Sequence, residues 1–123
     1  MLKTLRTTKT ESIYQKHLES LKRSKIDKKL CPLCEEQSLV KSFKYWKIIR
    51  NAFPYDKISS KHDMILPFRH VVENKFNKKE LAEFKKIKNN FINKSDYNFI
   101  IETTLTKKTI PNHFHLHLIT LKQ

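Results

Sequence analysis

Glycine is absent from all 123 residues of this chain, where an average protein of this length would carry roughly nine. Nothing else in the sequence constrains its architecture so strongly. A turn that needs a left-handed residue must use Asn or Asp instead, and Asn89, Asn90 and Asn93 stand where such a turn is expected after a helix. Two phosphate-binding designs are excluded. The Walker A loop and the G-x-G-x-x-G dinucleotide turn both need glycine where backbone closes on phosphate. Any phosphate site here must use side chains, a helix N-terminus or ordinary backbone amides.

A chain this short, 38% hydrophobic, holds one core rather than several. No apolar run reaches the roughly 18 residues of a membrane span, so no membrane partner is expected. Met1–Ser12 is basic and polar and has no apolar h-region, which argues against a secretory signal. Cys31 and Cys34 are too close to staple a long loop, and they point to a reducing, cytoplasmic setting. Lys plus Arg number 26 against 12 acidic residues, a net charge of +14. Such a field favours polyanions, namely nucleotides, nucleic acid or an anionic membrane surface. Only four of the basic residues are Arg, and Lys and Asn are frequent throughout. Composition bias therefore accounts for much of the charge, since dedicated phosphate readers favour Arg forks.

The apolar spacing predicts a helix over residues 10–28, capped by Thr10 or Ser12, with Ile13, Tyr14, Leu18 and Leu21 on one stripe. Residues 1–30 read as a basic N-terminal arm and helix, and 31–123 as the domain proper. Strands are predicted over 43–50, 62–66, 97–103 and 113–121. Asn77-Lys-Lys-Glu80 is a capping box that opens a helix to about Phe91. The class is α+β, antiparallel strands with two helices.

The chemistry concentrates in His113-Phe-His115-Leu-His117. Side chains alternate along a strand, so the three imidazoles share a face, about 6–7 Å apart, while Phe114, Leu116 and Leu118 enter the core. A phosphate-sized group can touch two such rings. Protonating all three would be costly, because like charges oppose one another. Cys31-x-x-Cys34 supplies two thiols, readable as a redox pair, a metal site or small buried hydrophobes. A tetrahedral zinc site needs four ligands, and His70 and His113 can complete it. His62 reads as a structural hydrogen bonder, and His17 as surface or interface.

These residues resemble the histidine triad (HIT) superfamily of nucleotidyl hydrolases and transferases. The resemblance rests on His113-x-His115-x-His117-Leu-Ile119, on the strand His62–Leu66 running into Pro67-x-x-His70, on the loop Asn51–Asp56, and on Cys31-Pro-Leu-Cys34, which is similar to the pair of the zinc-carrying branches. It covers about 31–120. It implies a HIT-like fold, a five-stranded antiparallel sheet with two helices, often paired as a homodimer; of the five strands, one around Gln37–Lys41 is the least marked in the residues. It implies zinc on Cys31, Cys34, His70 and His113. It implies His115 as nucleophile toward a nucleoside phosphate ester, amidate or anhydride, His117 as the group that steadies or protonates the phosphate or leaving group, and Asn51 as a ribose contact. Family members often carry glycine in the loop before the triad. Here that loop is Thr103–Asn112, where Lys107, Lys108, Thr109 and Asn112 are the available phosphate ligands. The alternative function is a zinc-stabilised module that binds nucleotide or nucleic acid without efficient turnover, favoured by the charge and by this loop.

Overall fold

The computed structural model describes residues 3–23, 31–34 and 38–123. Its elements are helix α1 (Thr8–Arg23), strands β1 (Leu39–Ser42), β2 (Trp46–Arg50) and β3 (Ser59–Pro67), helix α2 (Lys78–Asn90), and strands β4 (Phe99–Ile101) and β5 (Leu116–Leu121). The five strands form one antiparallel sheet in the order β1-β2-β3-β5-β4. The α+β class and the five-stranded sheet with two helices are therefore as expected.

The period-2 alternation of strand side chains builds two different faces. Trp46, Ile48, Ile65, Leu116 and Leu118 form one core with Ile87 of α2. Trp46 is fully buried, its ring against Phe76, Phe84 and Phe114, and its indole N–H donates to the Glu80 carbonyl at 2.9 Å. The opposite face carries a smaller cluster of Leu33, Ile49, Met64 and Leu66. Met64 pairs with His117 and His62 with Ile119, so both histidines belong to this second face.

Helix α2 begins with the capping box expected from sequence. The Asn77 side chain accepts from the Glu80 amide at 2.8 Å, and Glu80 accepts from the Asn77 amide at 3.0 Å. Glu80 also takes both arms of Arg69, at 2.7 and 3.0 Å, which ties the Pro67–His70 turn to the helix.

Several boundaries differ from expectation. No described residue has positive φ, so Asn89, Asn90 and Asn93 are not left-handed. The chain instead leaves α2 through a 3-10 turn at Ile92–Lys94, where Lys94 N–H reaches Phe91 O and Ser95 N–H reaches Ile92 O. This tighter winding ends the helix without inverting φ. The strand expected over 43–50 starts only at Trp46, because Phe43 N–H turns back onto Trp46 O. The strand at 97–103 shrinks to Phe99–Ile101. The last strand starts at Leu116 rather than at His113. Conversely, β1 is present, and β3 extends back to Ser59.

Helix α1 starts at Thr8, ahead of the expected Thr10 or Ser12 caps, and the expected residues 24–28 lie outside the described ones. Its cap is assembled from two segments. Thr7 Oγ1 accepts from Thr10 N–H at 3.4 Å, while Asp56 accepts from the Thr7 amide, the Thr7 hydroxyl and the Thr10 hydroxyl at 2.7, 3.0 and 2.5 Å. A carboxylate at a helix N-terminus also meets the positive end of the helix dipole. These bonds fasten residues 3–14 to the 53–57 loop, as does the Lys57 N–H donated to Leu5 O.

Candidate functional site

The second face of the sheet gathers four of the six histidines. His113, His115 and His117 are all buried, and so is His62. His115 and His117 share a face, as alternation predicts, and their ring centroids are 5.2 Å apart, closer than the roughly 6–7 Å expected from strand spacing. Phe114, Leu116 and Leu118 point into the first core, also as expected.

The hydrogen bonds assign a protonation state to each ring. Tyr55 N–H donates to His62 Nδ1 at 2.9 Å. A neutral His62 must then carry its proton on Nε2, which lies 2.8 Å from His117 Nδ1. His117 Nδ1 is thus an acceptor, and the His117 proton sits on Nε2, 3.4 Å from the Tyr55 hydroxyl. Asn51 Nδ2, at 3.3 Å from His62 Nε2, meets a nitrogen that already bears hydrogen, so the contact is not a bond to a lone pair. On His115, Nδ1 donates to the His113 carbonyl at 3.0 Å, and the Nε2 lone pair has no partner among the described residues.

Burial keeps these rings neutral. Desolvation, reinforced by the charge of Arg6 and the neighbouring imidazoles, lowers His62 to about 3 and His117 to about 2. His115 is also lowered, first by burial and then by Lys108, with the His113 carbonyl bond and Glu102 opposing.

At the other end of the row, His113 turns to different partners. Its Nε2–H donates to Pro67 O at 2.9 Å, so the lone pair on Nδ1 faces Cys34 Sγ at 3.3 Å and Cys31 Sγ at 3.7 Å. His70 Nδ1 lies 3.2 Å from Cys34 Sγ. The four donor atoms of Cys31, Cys34, His70 and His113 all fall within 4.8 Å of one another. They arrive from three separate segments, and they can hold one metal ion. Burial and Cys31 push the Cys34 thiol up, so a cation at this point is what would hold Cys34 as a thiolate.

The remaining predicted residues are placed as follows. Asn51 is buried beside His62, its Oδ1 accepting from Phe53 N–H at 2.7 Å and its Nδ2 3.7 Å from Met64 Sδ. Lys107 and Asn112 are exposed, and neither hydrogen-bonds a triad ring among the described residues. Lys108 is the loop lysine whose charge reaches His115. It lines, with Val72, Glu73, Thr103, Leu105 and Phe114, a cleft of about 580 Å³. His17 is exposed and packs on Phe53.

His62 is the hydrogen bonder its sequence position suggests, but its partner His117 is set by strand register, which no local pattern records. Two participants escaped the sequence reading. Tyr55 comes from a loop, and its signal, an aromatic beside Pro54, is shared with many turns. Arg6 lies outside the region of resemblance, yet its charge acts on His62 and His117.

No family model matches this chain, and no curated protein matches it. Among solved structures it is similar to a HIT family hydrolase from Legionella pneumophila Philadelphia 1, with a TM-score of 0.52 and 20% sequence identity, over 76% of this chain and 95% of that one. The likeness establishes a shared fold.

Proposed function

We propose that this chain is a nucleotidyl hydrolase or transferase of the histidine-triad type. It acts on a nucleoside phosphate ester, amidate or anhydride through a covalent nucleotidyl-histidine on His115. The observation that carries the reading is the buried, neutral His115, whose Nδ1–H is held by the His113 carbonyl while its Nε2 lone pair has no partner among the described residues. That is the state an imidazole nucleophile needs. The likeness in fold to the Legionella hydrolase supports it.

In this reading His115 Nε2 attacks the α-phosphorus. The new P–N bond forms as the bond to the leaving group breaks, and that electron pair departs with the leaving group. The phosphorylated ring becomes cationic, and its Nδ1–H on the His113 carbonyl places that charge against a dipole. His117 Nε2–H steadies the phosphate or leaving-group oxygen. Water or an acceptor phosphate then attacks the same phosphorus and restores His115. Lys107, Lys108 and Asn112 attract the anionic substrate from the loop, and Asn51 contacts the ribose side.

The metal is zinc in this reading. Zn–S near 2.3 Å and Zn–N near 2.05 Å give tetrahedral S···N edges of about 3.5 Å, and the S···N separations here are 3.2, 3.3 and 3.7 Å. Cys31, Cys34, His70 and His113 would hold the ion, which would supply a fixed charge and a rigid tie among them. The chain's own residues set His115 two positions beyond that tie. We infer a cytoplasmic homodimer, for which the exposed Phe99 on edge strand β4 offers an apolar pairing edge; sedimentation tests it.

The experiment is intact-mass measurement after brief incubation with a panel of AMP donors, quenched in alkali, where phosphohistidine persists. One nucleotidyl adduct that is absent in His115→Ala carries the proposal. No adduct and no released AMP from any donor refutes it. The second reading, binding without turnover, is favoured by the glycine-free loop and the net charge of +14. Its affinity for nucleic acid would then fall steeply with salt, through counterion release.

A further inference from the structure

We propose that Arg6 is a positioning residue that fixes the protonated nitrogens of His62 and His117 by clamping the 53–55 loop from the N-terminal segment. The proposal rests on the reading of the triad as a reacting site only in calling those rings functional.

The geometry runs unbroken from α1 to the triad. Arg6 Nε–H donates to the Phe53 carbonyl at 2.7 Å. Its guanidinium lies over the Tyr14 ring at 4.0 Å and the Tyr55 ring at 4.9 Å. Tyr55 in turn packs on His62 at 4.4 Å and on His117 at 4.9 Å. The same Tyr55 donates its amide to His62 Nδ1 and sets its hydroxyl 3.4 Å from His117 Nε2. One residue therefore defines both ends of the His62–His117 pair, and Arg6 holds that residue's ring and the carbonyl two positions before it.

A purely structural cation would be expected to meet a carboxylate closely. The Arg6 side chain is only 12% exposed, yet its ion pair to Glu11 is long, at 3.6 Å. Its short bond is to the loop carbonyl. A planar guanidinium can stack between two rings while donating in plane, which an ammonium cannot do. The Asp56 bonds to Thr7 and Thr10 then keep the segment that carries Arg6 in place. Without the clamp, Tyr55 N–H drifts from His62 Nδ1, and either nitrogen of each ring can take the proton.

The test is nitrogen NMR of the imidazole rings in the full chain at neutral pH with no substrate, which reads which ring nitrogen bears hydrogen. Wild type should show His62 and His117 each protonated on Nε2. Arg6→Met should give averaged signals for both rings, and Arg6→Lys should do the same, because the charge is kept but the fork is lost. Turnover of an AMP donor should fall about tenfold in kcat with little change in KM, since misplacing a reacting group acts on the transition state. Wild-type ring signals in Arg6→Met overturn the proposal, and so do wild-type signals in Arg6→Lys, since charge alone would then suffice. If Arg6→Met fails to fold, Asp56→Ala detaches the same segment and is judged by the same signals. The signals need no turnover, so a chain without activity but with Arg6-dependent tautomers would refute the enzymatic reading and leave this one standing.

Discussion

His113 and His115 are two residues apart on one segment, and they serve two centres built on opposite logic. The imidazole group of His62, His115 and His117 is internally satisfied. Among the described residues every ring nitrogen except His115 Nε2 has a protein partner, and burial holds the rings neutral. The Cys31, Cys34, His70 and His113 group converges four donor atoms with few donors of hydrogen to share among them. One centre is satisfied from within and leaves a single lone pair without a partner among the described residues. The other is a set of lone pairs that a cation would unify. Neutral, well-partnered rings suit chemistry on a bound substrate, whereas four soft donors converging on one point suit a structural ion.

The sharpest way to break this comparison is to remove His115. His115→Ala should abolish adduct formation and lower turnover on the order of 10³-fold or more, while metal content, measured by elemental analysis, stays unchanged. Loss of metal in that variant would mean that the two centres are one. Removing the metal is next in size. Chelation, or Cys34→Ser, should lower Tm by roughly 10–20 °C, because a tightly bound ion at about 1,000 times its Kd contributes about 4 kcal/mol. A thermal melt with and without chelator reads this, and an unchanged Tm would leave the four-ligand group without a structural role.

Substituting His62 probes the chain of rings alone. His62→Phe removes the N–H that faces His117 Nδ1, and the rate should fall about 10²-fold with Tm changed far less than on chelation. The smallest effect is on pH. His62 at about 3 and His117 at about 2 lie below the ordinary value of 6.5. As pH falls, the unfolded chain therefore takes up protons before the native one. Stability contributed by these rings is full above about pH 6.5 and is lost as pH falls from there toward 3, at up to about 1.4 kcal/mol per pH unit for each ring. Urea unfolding at pH 7.5 and 5.5 measures the slope, and a His62→Gln/His117→Gln double variant should flatten it.

Much of this was legible before any coordinates. The H-x-H-x-H alternation states which rings avoid the core, and Phe114, Leu116 and Leu118 do enter it. The capping box at Asn77 and Glu80 locates α2 to within a residue. The four metal donors also converge as their chemistry suggested. What stayed hidden depends on long-range register and on loops. His62 meets His117 only because β3 and β5 pair so that Met64 faces His117. Tyr55 enters through a loop whose path no periodicity records. The late start of β5 accompanies a backbone bond made elsewhere, from Phe114 N–H to Val71 O.

The missing glycines have a consequence for how this chain can change. No described residue has a positive φ, so none needs the left-handed backbone that favours glycine. No described turn is thus closed to a side chain on steric grounds, and substitutions in the loops are limited by their contacts alone. A chain that never relies on glycine also has less unfolded-state freedom to surrender, a gain of roughly 0.4–1 kcal/mol at each position where a relative would carry one.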